Sequence, residues 1–201
     1  LPLPSNPDGS EILMRSDCVD LREFPDLGIA VHGRSFQTRA VTENLAASYP
    51  SPIGGVCNIG LLHTSLTGAE GHDPYSPCTP VQLSDMGYDY WALGHIHARA
   101  NHGLEGAAPI VFSGNIQGRH IRETGAKGCM IIDVDERHRC RPRFHELDEV
   151  RWELCELDVS AFQHRDEIFD AYQQWLTQAL PQVGDRLLVS RVRLIGPSEL
   201  H

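Results

Sequence analysis

Apolar and polar residues alternate along this chain in short runs broken by Gly, Pro, Asn and Asp, which is the pattern of short strands. Strands are predicted at 11–15, 19–24 and 28–32. Residues 38–49 read as a helix that stops before Pro50 and Pro52. The apolar run 56–62 reads as a buried strand, and a loop rich in Gly, Asp and Pro follows over 68–77. Residues 79–86 form a predicted short helix, with Thr79 as N-cap and Pro80 at the first helical position. Further strands are predicted at 88–93, 109–112 and 128–134, the last pairing as a hairpin with 139–147. Beyond them a strand at 150–157, a helix over 161–180 and a half-exposed strand at 186–195 form a small strand–helix–strand unit. The helix carries Ile168, Phe169, Tyr172, Leu176 and Leu180 at helical spacing, with Asp158 or Ser160 to cap it and Pro181 to stop it. The fold class expected is α/β, with a first domain over 1–149 and a second over 150–201.

Two of the predicted buried strands end in histidine. One runs into His63-Thr64-Ser65, the other into Gly94-His95-Ile96-His97. On an extended backbone, side chains two apart share a face, so His95 and His97 can converge, and Gly94 leaves room beside them. Sites in open α/β sheets form at the carboxyl ends of strands. Neutral imidazoles aimed at one point hold borderline transition metals. His63, His95 and His97 are therefore the candidate metal ligands. The competing reading is that His63 caps a strand and the pair lines a polar turn.

Composition narrows the setting. The 201 residues suit one domain, or one and part of another, and the 41% hydrophobic content supports a core. No apolar run is long enough to span a bilayer, and no signal-peptide pattern opens the chain. It starts Leu-Pro-Leu-Pro without Met, so the expectation is a partial or processed chain. The six cysteines form no C-x-x-C pair, which argues against a zinc knuckle or disulfide scaffold and for a reducing cytoplasm. The net charge of −10 argues against a protein that simply coats nucleic acid. Charge is uneven, however: residues 94–143 hold seven Arg and one Lys against five acids, a net +3, and the remainder nets −13. A basic segment around and after the histidine pair suits a phosphate-bearing substrate, and equally a solvated charged face.

Four stretches carry a resemblance to a known family: 31–36 (Val-His-Gly-Arg-Ser-Phe), 58–65 (Asn-Ile-Gly-Leu-Leu-His-Thr-Ser), 87–97 (Gly-Tyr-Asp-Tyr-Trp-Ala-Leu-Gly-His-Ile-His) and 113–123 (Ser-Gly-Asn-Ile-Gln-Gly-Arg-His-Ile-Arg-Glu). In this order they resemble the calcineurin-like metallophosphoesterases, and more closely the SbcD/YhaO-like DNA repair exonucleases. The resemblance implies a β-sandwich flanked by helices, followed by the start of a small α+β capping domain. It implies a two-metal phosphodiesterase, Mn²⁺ being the favoured metal, in which His63 and His95 bind one ion and His97 the other. DNA is the implied substrate of the intact enzyme, and an ATPase partner subunit and a homodimer are the implied associations.

The family completes its site with an Asp-x-His, a Gly-Asp that bridges the metals and a Gly-Asn-His-Asp. This sequence has no Asp-x-His, its Gly184-Asp185 lies in the tail, and its Gly114-Asn115 continues with Ile. The expectation is the C-terminal half of such an enzyme. Two divalent ions about 3.5–4 Å apart need a bridging carboxylate to offset their repulsion, and neutral imidazoles supply none. The expectation for this chain alone is single-metal binding without turnover.

The polar loop holding Asn115, Arg119, His120 and Arg122 is the candidate substrate-binding segment, with the arginines meeting phosphate bidentately. An internal ion pair with Glu123 is the alternative. His32 reads as buried, His72 and Asp73 as surface loop, and His102, His138, His145, His164 and His201 as ordinary surface residues. Tyr172 and Trp175 read as core and capping surface rather than a base-stacking platform. Two other functions compete with the nuclease: hydrolysis of a non-DNA phosphoester, and a non-catalytic interaction module with vestigial histidines.

Overall fold

Four parallel strands, two of them leading into the candidate histidines at their carboxyl ends, organise the larger part of the computed structural model, which describes residues 12–66 and 75–197. The architecture is mixed α/β and divides into two compact units, 1–114 with 130–144 and 115–129 with 145–201.

In the first unit, β1 (Asp20–Phe24), β2 (Ile29–Gly33), β3 (Cys57–His63), β4 (Tyr90–Gly94), β5 (Ala100–Asn101) and β6 (Ile110–Phe112) form one sheet in the order β1-β2-β3-β4-β6-β5. β2, β3, β4 and β6 run parallel, and β1 and β5 are antiparallel edges. Between β3 and β4 lies α1 (Pro80–Asp85), held by a full capping box: the Thr79 hydroxyl accepts from the Gln82 amide, and the Gln82 side chain accepts from the Thr79 amide. α1 buries Leu83.

Alternation along the strands gives the sheet two apolar faces. Leu62, Trp91, Leu93, Ile110 and Phe112 pack with Leu45, Ala46, Tyr49, Leu83 and Tyr88. Cys57, Tyr90 and Val111 pack on the other face with Met130, Ile132 and Cys140, from the paired strands β7 (Gly128–Val134) and β8 (Cys140–Glu146). A turn in which the Asp135 amide donates to the Arg139 carbonyl closes β7 and β8 into the expected hairpin. The Cys57 and Cys140 sulfurs are 3.7 Å apart, and both thiols are free.

Three elements differ from expectation. Residues 38–49 are irregular apart from a 3-10 turn at Leu45–Ser48. The Thr38 hydroxyl donates to the Ala40 carbonyl, the Val41 carbonyl accepts from the Ser76 amide, and the Leu45 amide donates to the Ser76 hydroxyl. Backbone groups that a helix would pair internally are thus taken up locally or by Ser76. Residues 12–15 form no strand, since the Leu13 carbonyl accepts from Arg22 and the Arg15 carbonyl from the Ser35 amide. The long helix, α2 (Asp166–Val183), starts five residues late and carries Pro181 inside its last turns. The Asp158 carboxylate is spent on Ser160, and Glu167 instead accepts the amides of Gln163 and His164 ahead of the helix. The predicted loop at 68–77 lies outside the described residues up to 74, as do His72, Asp73 and His201.

In the second unit, β9 (Val150–Asp158) and β10 (Leu187–Ile195) pair in parallel across α2, from Leu187 opposite Val150 to Ile195 opposite Asp158. The Tyr172 hydroxyl on α2 meets the Ser190 hydroxyl on β10 at 2.6 Å. Gln117 fastens the 115–129 segment to β9: its amide group donates to the Val150 carbonyl and accepts from the Glu149 and Val150 amides. Trp152 adds a hydrogen bond to the Gly118 carbonyl. Asp148, whose side chain is fully buried, lies 2.5 Å from the Arg151 guanidinium.

Candidate functional site

β3 and β4 deliver two histidines to the same end of the sheet. His63 closes β3 directly opposite Gly94, the last residue of β4, and the Thr64 amide donates to the Gly94 carbonyl. Because β4 ends at Gly94, the His95–His97 pair is not on extended backbone, and strand alternation does not govern it. His95 instead has a φ of 108°, a conformation rare for any residue but glycine. Such strain persists only where the surroundings over-determine it, and it gathers at functional sites.

The His63 and His95 ring centres are 5.1 Å apart, inclined at 71°. His63 keeps an exposed edge, yet its neighbours desolvate it enough to push its imidazole pKa below the ordinary value. That favours the neutral, metal-binding form. His97 is exposed, and its carbonyl is packed so closely on Gly114 that a Cβ there would lie 2.8 Å away. Among the described residues no three His, Cys, Asp or Glu side chains gather into a metal cage. The structure thus pairs His63 with His95 and does not bring His97 into a three-ligand cluster with them.

Two further aromatic residues border this pair and were not singled out by spacing. The Phe36 ring, just past β2, meets His63 edge-on at 5.1 Å, and the Tyr75 ring lies 4.8 Å from that of His95. Phe36 and Tyr75 stack on each other at 6.4 Å. Beside them a cavity of about 440 Å³ is lined by His63, Gly94, Arg34, Ser35 and the apolar Leu13 and Leu61, among others. His32 is buried in β2, as its apolar neighbours imply, with Nε2 3.0 Å from the Asn58 side-chain oxygen.

The candidate substrate loop belongs to the second unit. It wraps around the buried Glu123, whose carboxylate accepts the Arg119 amide at 2.8 Å. The Arg119 guanidinium and His120 Nε2 approach Glu123 only to 3.9 and 3.8 Å. At those separations, and with the Arg119 and His120 side chains exposed, the two pairs contribute little. Arg122 is in no ion pair among the described residues, and its amide donates to His120 Nδ1. Asn115 is half-buried and donates to the Gln117 carbonyl. The loop therefore offers exposed guanidinium groups, with the Glu123 alternative met loosely by Arg119 and His120.

Residues 152–201 match the family model described as metallophosphoesterase YhaO, middle domain. Over 140 residues the chain is 41% identical to the uncharacterized metallophosphoesterase YhaO of Bacillus subtilis (strain 168), an alignment covering 70% of this chain and 34% of that protein. The chain spans about a third of the length of this curated relative.

Proposed function

We propose, from the metallophosphoesterase family that these two matches support, that this chain contributes histidine ligands and phosphate contacts to a metal-dependent phosphodiesterase acting on DNA. The observation that carries the reading is the His63–His95 pair, 5.1 Å apart at the carboxyl ends of adjacent parallel strands. Two imidazoles bound to one tetrahedral ion, each nitrogen about 2.0–2.1 Å from it, place their ring centres roughly 5 Å apart. The pair fits one divalent ion in spacing. His97 serves a second ion, and Mn²⁺ is the metal of choice for a mixed imidazole and carboxylate site. When bound, the metal supplies an activated hydroxide and Lewis-acid stabilisation of the leaving oxygen.

Arg119 and Arg122, supported by Asn115 and His120, hold the phosphate backbone through their exposed guanidinium groups. Residues 1–149 supply part of a calcineurin-like sandwich, and 150–201 begin the capping domain. The carboxylate motifs that two adjacent metals require are not in this sequence. Residues 1–201 alone therefore bind a single ion and do not turn over. The six free cysteines are consistent with a cytoplasmic protein, and no described helix is long and apolar enough to cross a membrane. An ATPase subunit and a second copy are the partners of the intact enzyme.

Calorimetric titration of the 201-residue chain with Mn²⁺ tests the site. One binding event, lost in His95→Ala, is expected; no uptake by the wild type would leave a non-catalytic module. Hydrolysis of a phosphodiester by the chain alone would overturn its assigned inactivity. Duplex binding by the full-length protein, weakening steeply with salt, separates DNA from a small phosphoester as substrate.

A further inference from the structure

Four rings close into a circuit at the carboxyl end of the sheet. His63 touches His95, His95 touches Tyr75, Tyr75 stacks on Phe36, and Phe36 returns to His63. Each comes from a separate stretch of chain: Phe36 follows β2, His63 ends β3, His95 follows β4, and Tyr75 belongs to the connection between β3 and β4. Tyr75 is not loosely placed. Its carbonyl accepts from the Ser65 amide and hydroxyl, and its amide lies 3.2 Å from the same hydroxyl. Tyr75 is thereby tied to Ser65, two residues past His63.

We infer that Phe36 and Tyr75 are positioning residues, which hold the His63 and His95 imidazoles at the separation and tilt that one divalent ion requires. The inference rests on the metal-binding reading above. Phe36 packs at the margin of the core, but Phe36 and Tyr75 are only half-buried and His63 keeps an exposed edge that lines the adjoining cavity. The His63 imidazole is exposed, and an exposed ring turns about both side-chain bonds unless its neighbours hold it; His95 is half-buried. In metal sites generally, a partner to the second nitrogen removes that freedom. Here ring contacts at 5.1 and 4.8 Å fix the planes of the two imidazoles from outside the ligand set. The same contacts supply the over-determination that His95, at a φ of 108°, needs to stay in place.

The test uses the 201-residue chain with Co²⁺, whose visible absorption reports coordination geometry, and Mn²⁺ by calorimetry. Phe36→Leu and Tyr75→Leu keep apolar volume but remove the ring; Tyr75→Phe keeps the ring and removes the hydroxyl. Both leucine variants are expected to bind about tenfold more weakly (about 1.4 kcal/mol) with an altered Co²⁺ spectrum, and Tyr75→Phe to match the wild type. A metal-free readout accompanies this: the His63 and His95 ring protons should carry ring-current shifts in the wild type and Tyr75→Phe. In Tyr75→Leu the His95 shift should be lost, and in Phe36→Leu that of His63.

Wild-type affinity in both leucine variants would overturn the positioning role, as would a loss in Tyr75→Phe equal to that in Tyr75→Leu. Absent ring-current shifts in the wild type would overturn the circuit itself. Shifted resonances with no metal uptake by the wild type would instead overturn the metal reading, and the positioning role with it.

Discussion

Gly94 stands directly across the β3–β4 ladder from His63, and a Cβ at residue 94 would lie 3.2 Å from the His63 Nδ1. At that distance the neighbour must give, and the neighbour is the imidazole. Gly94 does not occupy a left-handed conformation, so alanine suits its backbone. Gly94→Ala is expected to leave thermal stability within about 0.5 kcal/mol of wild type while weakening Mn²⁺ binding about tenfold. Calorimetry paired with a thermal melt checks both halves, and unchanged metal affinity would show that His63 is not a ligand held by this contact.

Gly60 carries a different constraint. A Cβ there would come within 2.3 Å of the Trp91 ring. Trp91 is fully buried, stacked 4.8 Å from Tyr88 at 7°, and its indole N–H donates to the Leu83 carbonyl. The ring has nowhere to move. Gly60→Ala should cost about 1–3 kcal/mol, the range for overpacking a filled core, read from the urea midpoint. A change below about 0.5 kcal/mol would mean that the sheet relaxes freely under Trp91.

The protonation of His32 follows from its partner. The Asn58 amide nitrogen donates to the Ile53 and Val56 carbonyls, both at 2.9 Å, so the Asn58 oxygen is the atom that meets His32. That oxygen also accepts the Ile53 amide at 2.8 Å. An oxygen only accepts, so Nε2 of His32 carries a proton. Long-range proton–nitrogen correlation at neutral pH should show the Nε2–H tautomer, and an Nδ1–H pattern would contradict this hydrogen bond.

Much of this fold is legible in the sequence. β3, β4 and β6 announce themselves as short apolar runs, α1 by its Thr79-Pro80 start, and the β7–β8 hairpin by two runs with a polar turn between. The differences at 12–15 and 38–49 share a cause in long-range partners. Nothing local in 38–49 reveals that Ser76 will take the Val41 carbonyl and the Leu45 amide. Tolerance of Pro181 inside α2 likewise has no local mark. The histidines were visible as motif residues, but the Phe36–Tyr75 contact joins positions whose proximity depends on strand order. Strand order, not spacing, put these rings together.

The buried Asp148 makes the second unit sensitive to acid. Burial opposes its ionisation, but hydrogen bonds from Arg151 and the Lys127 amide outweigh that and hold the carboxyl below its ordinary value. A carboxylate depressed in the folded state stabilises the fold above its unfolded pKa of about 3.9. That contribution is lost as pH falls through the lower folded value. Asp148→Asn should cost about 2 kcal/mol at pH 7, because Arg151 loses its buried anionic partner and keeps only the half-exposed Glu146, at 2.9 Å. The variant should also flatten the urea-midpoint profile below about pH 4. An unaltered acid limb in the variant would assign that sensitivity to other carboxylates.

The parallel ladder between β3 and β4 also sets where the gene can change length. Residues 64–89 connect two strands whose register is held by the sheet itself, from Ile59 opposite Tyr90 to His63 opposite Gly94. Insertions in that connection, away from Tyr75 and α1, leave the facing ends where they are. A single-residue deletion inside β3 is another matter. It would turn every following side chain to the opposite face and send His63 away from His95. Among homologues of this chain, length variation should therefore collect between the two histidine strands and be absent from them.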